Sequence, residues 1–87
     1  MQKREKGKLK SKIAAEIFSD EPKIEMSGNR EIIIDGCKGV IEYDENTIKL
    51  SLGKNALSIS GDNLVINSFD SSVAIISGVI CEIFFVS

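Results

Sequence analysis

From Asn46 to Ser87 apolar and polar residues alternate almost without a break, and the runs are closed by Gly with Asn or Asp. A period of two places successive side chains on opposite faces of a strand. In "TIKLSL" Ile48, Leu50 and Leu52 face one way while Thr47, Lys49 and Ser51 face the other. "GKN" leads into "ALSIS", with Leu57 and Ile59 inward, and "GDN" is a turn signal before "LVINSF" and "DSS". Upstream, "KIEM" ends at "SGN", "REIIID" at "GCKG" and "VIEYD" at "DEN". The last run, from Val73 to Val86, is apolar on both faces, which predicts a central strand buried on both sides. Gly78 in its middle predicts a bulge, a bend or a break into two strands.

Before Pro22 the period is different. Leu9, Ile13 and Ile17 stand four apart, and Ala14 and Phe18 widen the stripe. That spacing predicts an amphipathic helix over residues 8–19, about three turns long. Pro22 ends it. A helix so short is marginal alone in water and has to rest on something. The expected fold is all-β: a small antiparallel β-sandwich of seven to eight short strands, preceded by one short basic amphipathic N-terminal helix. Residues 1–21 form the arm and helix, and residues 22–87 the β domain. No connection is long enough for a βαβ crossover.

Composition changes this picture in one respect. The chain has 87 residues, 43% apolar and 28% charged, with a net charge of −2. That is the make-up of one small globular domain with a thin core. The charge is unevenly placed. Lys3, Arg4, Lys6, Lys8, Lys10 and Lys12 face only Glu5 in the first twelve residues, while the rest of the chain is acidic. A basic arm on an acidic body points to contact with an anionic surface or partner. Lys8, Lys10 and Lys12 would supply charge to an anionic leaflet, and Ile13, Ile17 and Phe18 would dip into its interface. A solubilising arm with a helix capping the sandwich fits the same residues, and so does a protein interface. No signal-peptide h-region follows the charged start, and no run reaches about 18 apolar residues, so a cytoplasmic protein is expected.

The search for chemistry finds little. There is no His, so the commonest general base is missing. Cys81 lies in the apolar run "GVICEIFF" and is expected as a small buried hydrophobe. Cys37 lies in "DGCKG" beside Lys38 and is expected to be the more exposed thiol. Two cysteines without His do not make a zinc framework, and they can pair only if their strands are neighbours. "EYDEN" gathers Glu42, Asp44 and Glu45, which suits a solvated hairpin tip better than a calcium loop. No P-loop or dinucleotide fingerprint is present. The aromatics are few and lie mostly in apolar stripes on an acidic body, which argues against nucleic acid. No catalytic residue, cofactor, metal site or small-molecule substrate is expected.

The body resembles the YabP/YqfC family of sporulation proteins from spore-forming Firmicutes, and the YqfC branch more closely. The resemblance rests on "PKIEMSG", with Pro22, Ile24, Met26 and Gly28, and on "EIIIDGCKGVIEYDENTIKLSL", with Gly39, Val40, Ile48 and Leu50. "LSISGDNLVINSF" follows with Gly61, Leu64 and Ile66, and "ISGVICEIFF" closes it with Gly78, Ile80, Ile83 and Phe84. It implies a non-enzymatic protein made in the mother cell, needed around forespore maturation and cortex or coat formation. It also implies a sporulation membrane protein, YqfD-like, as partner, and a place in the cytoplasm or peripherally on the forespore outer membrane. The expected role is an adaptor. The alternative is a self-assembling small structural β protein, a homo-oligomer with no membrane contact.

Overall fold

The computed structural model describes residues 21–87. The helix expected over 8–19 lies outside them. The described residues are all-β, as expected, but they form one antiparallel sheet of six strands where the two packed sheets of a sandwich were expected. These are β1 (Lys23–Ser27), β2 (Glu31–Asp35), β3 (Gly39–Tyr43), β4 (Thr47–Ser51), β5 (Ala56–Asp70) and β6 (Val73–Val86). Their order across the sheet is β1-β2-β6-β5-β4-β3.

The expected seven to eight short strands become six because two turn signals do not turn the chain. "GDN" at Gly61–Asp62–Asn63 lies inside β5, and Gly78 lies inside β6. The two strands stay paired across this region, and shifts of register between Ser60 and Gly61 and between Asp62 and Val65 absorb the extra residues. The backbones come very close there. A Cβ on Gly61 would fall on the Val79 carbonyl, and one on Gly78 would lie 2.6 Å from the Asn63 carbonyl oxygen. Gly78 takes φ +137°, outside the range of ordinary L-residues. Gly here marks a bulge with close approach, not a reversal.

This bulge divides the sheet into two four-stranded halves that share the long hairpin. In the first half β1 pairs with β2, β2 with residues 73–77 of β6, and those with residues 65–70 of β5. In the second, residues 82–86 of β6 pair with residues 56–60 of β5, those with β4, and β4 with β3. Each outer hairpin docks its turn on the bulge by two backbone hydrogen bonds. Gly78 and Ile80 N–H donate to the carbonyls of Arg30 and Asn29, and Gly61 and Leu64 N–H to those of Asn46 and Glu45.

One buried cluster takes side chains from both halves: Ile32, Ile34, Ala74 and Ile76 from the first, Ile48, Leu50, Leu57 and Ile59 from the second. Each fully buried Ile or Leu contributes about 1.5–3 kcal/mol. Ile48, Leu50, Leu57 and Ile59 face inward as "TIKLS" and "ALSIS" lead one to expect, although Ser58 on the opposite face is buried as well. The expectation for residues 73–86 holds only in part. Ala74, Ile76 and Ile80 are buried, but Phe84 and Phe85 are exposed. Beyond Ile80 no strand among the described residues lies on the β2 side of β6, so nothing there covers the aromatic pair.

Candidate interaction surfaces

The two cysteines exchange the places expected of them. Cys37 is buried and Cys81 is exposed, and both are free thiols. The "GCKG" segment is drawn against the far end of the long hairpin. Gly36 and Cys37 N–H both donate to the Ser72 carbonyl, each at 2.9 Å, and Lys38 N–H donates to the Ser51 carbonyl at 2.7 Å. Burial pushes the Cys37 thiol above its usual pKa, partly offset by the Gly39 backbone, and the thiol also donates weakly to the Gly39 carbonyl at 3.5 Å. Cys81 is the bulged residue of β6, skipped in the register between Ile80 and Glu82, and so points to solvent.

The acidic tip "EYDEN" serves the turn. An Asp44 carboxylate oxygen accepts from the Asn46 and Thr47 N–H groups, each at 2.8 Å. The Asn46 amide donates to the Gly61 carbonyl at 2.9 Å, tying this tip to the bulge. Among the described residues no group of three or more His, Cys, Asp or Glu is arranged to hold a metal ion. No helix among them is long and apolar enough to cross a membrane.

What the described surface offers is strand edges and apolar side chains. On the second half, residues 82–86 form an open edge among the described residues, with Phe84 49% and Phe85 59% exposed. Phe85 pairs across to Leu57 on the core side, and Phe84 to Ser58 on the opposite side. The two rings therefore flank the edge on both faces. At the other edge of this half, Ile41 occupies the bulge of β3 and is 57% exposed. Glu42 and Lys49 make an ion pair at 3.8 Å on the outer face.

The candidate contact residues Lys8, Lys10, Lys12, Ile13, Ile17 and Phe18 lie outside the described residues. Phe84 and Phe85 escape a sequence reading for a physical reason. A strand apolar on both faces looks the same whether it is sandwiched or left at an edge, and only the reach of its neighbours separates the two.

The YabP family matches the chain over residues 19–87. The chain is also similar to the uncharacterized protein YqfC of Bacillus subtilis (strain 168), with 31% identity over 68 residues, 78% of this chain and 73% of that protein. No solved structure matches. The chain belongs to the YabP family.

Proposed function

We propose that this protein is a non-enzymatic sporulation protein of the mother cell, acting in forespore maturation and cortex or coat formation as an adaptor to a sporulation membrane protein. Family membership supports the sporulation part. The adaptor part rests on one observation, the open edge at residues 82–86 with Phe84 and Phe85 exposed on its two faces. An edge strand offers unpaired backbone groups to a strand of a partner, and flanking aromatics add apolar area and specificity. The basic arm, with Lys8 and Lys12, supplies an electrostatic contact at an anionic membrane surface.

The test is a pull-down from sporulating mother cells. The whole chain should recover a membrane protein, and the double variant Phe84→Ser/Phe85→Ser should not. Equal recovery by both assigns the contact elsewhere, and recovery of no membrane protein by either overturns the adaptor reading. The same edge favours a second reading, pairing between copies of the chain. Sedimentation at high concentration would then show oligomers, and a strict monomer rejects it.

A further inference from the structure

The outer face of the first half is used by neither the core nor the proposed edge contact. Three rows of paired residues cross it: Lys23, Asp35, Val73 and Asp70; Glu25, Ile33, Ile75 and Ser68; Ser27, Glu31, Ser77 and Val65. Ile33, Ile75 and Val73 are half-buried along its middle, and Val65 is exposed at its margin. Within these three rows Glu25, Glu31, Asp35 and Asp70 stand around the apolar strip, with Lys23 as the one basic residue. The core-side residues Ile32, Ile34, Ala74 and Ile76 point the other way.

We propose that this acid-rimmed apolar face is the seat of the chain's own residues 8–19. Three observations point to that occupant. The first is charge. The face is acidic, and the first twelve residues carry six basic side chains against Glu5. The second is pattern. At about 100° per residue Leu9, Ile13, Ile17, Ala14 and Phe18 share one side of a helix, matching an apolar strip, while Lys8 and Lys12 share the other. Lys10 falls within the apolar side, between Ile17 and Ala14, and would have to extend its stem along the strip to bring its charge to the acidic rim.

The third is reach. Pro22 packs against Gly36, where an added Cβ would lie 2.9 Å from the Pro22 Cα, and Gly36 follows Asp35 directly. The chain therefore enters β1 at a corner of this face. A twelve-residue helix is about 18 Å long, and a five-residue strand about 17 Å, so the helix covers the face from that corner without a spacer. Seated this way, Ile13, Ile17 and Phe18 belong to the protein's own fold, and Lys8 and Lys12 stay outward. The inference does not depend on the adaptor reading.

The chain has no Trp, so Ile17→Trp in the full-length protein is a unique fluorescent reporter. At low concentration its emission should be blue-shifted, with several-fold less acrylamide quenching than Lys12→Trp on the opposite side. Adding Glu25→Lys and Asp70→Lys, both at exposed positions, should move the emission to that of solvent-exposed Trp. Protection that survives those two changes places the segment elsewhere and overturns the seat. Protection that appears only at high concentration assigns the segment to a second copy. Protection that appears only with phosphatidylglycerol vesicles assigns it to membrane. Either outcome overturns the proposal, as does a water-like emission throughout.

Discussion

The Tyr43 hydroxyl accepts a hydrogen bond from the Ile66 backbone N–H at 3.1 Å. Tyr43 is the last residue of β3, in the second half of the sheet, while Ile66 lies in β5 in the first. Beyond the bulge β4 no longer accompanies β5, so the Ile66 amide faces a side where no strand follows. The phenol takes the place of the missing strand and joins the two halves. Tyr43→Phe keeps the ring and removes that acceptor. Because the site is exposed and water can replace the hydroxyl, the expected loss is small, about 0.5–1 kcal/mol in urea unfolding. No loss at all would mean the bond contributes nothing.

The bulge is the point of least tolerance. Gly61→Ala would drive a methyl into the Val79 carbonyl, which is backbone and cannot move aside without breaking the β5–β6 pairing. Gly78→Ala meets the Asn63 carbonyl oxygen and the Leu64 Cα at a backbone angle that also resists a side chain. Each substitution should cost about 3 kcal/mol or more. Gly39→Ala is the control, since nothing lies within 4 Å of its added Cβ. Thermal melts in which all three variants behave alike would contradict this account of the bulge.

The turn of the long hairpin is strained in a way that can be relieved. Ser71 and Ser72 both have positive φ, 52° and 68°, between the paired residues Asp70 and Val73. A two-residue hairpin with both central angles positive favours Asn followed by Gly. The double variant Ser71→Asn/Ser72→Gly should therefore raise stability by about 1 kcal/mol. The Ser72 carbonyl, which accepts from Gly36 and Cys37, is retained in it. A melting temperature unchanged or lowered would show that the serines carry no strain.

The thiols should react at very different rates. Cys81 is exposed and should be alkylated by a maleimide in the folded protein, while Cys37 should wait for unfolding. Burial holds the Cys37 pKa above its unfolded value, so its thiol stays neutral in the fold as pH rises. The unfolded chain ionises first. The contribution is unchanged in acid and at neutral pH, and stability falls as pH climbs through the thiol's unfolded pKa into the alkaline range. Cys37→Ala should flatten that alkaline decline. An equally steep decline in the variant would assign it to other groups.

Much of this protein is fixed locally. Alternation in "TIKLS" and "ALSIS" placed Ile48, Leu50, Leu57 and Ile59 in the core, because a period of two leaves a half-buried strand no other choice, whereas the three consecutive isoleucines of "EIIID" left the choice of face to the tertiary structure. The all-β class followed from the same alternation, and family membership from the order of the apolar and glycine positions. Contacts distant in sequence decided the rest. "GDN" has the composition of a turn, yet β5 runs through it because β6 and the Asn46 and Glu45 carbonyls hold its backbone on both sides. Cys37 is buried because "GCKG" is pulled onto Ser72 and Ser51, residues far along the chain. Phe84 and Phe85 are exposed because β2 stops short of them. Periodicity states which face a side chain takes. Whether anything covers that face depends on where other strands end, and only the tertiary structure determines that.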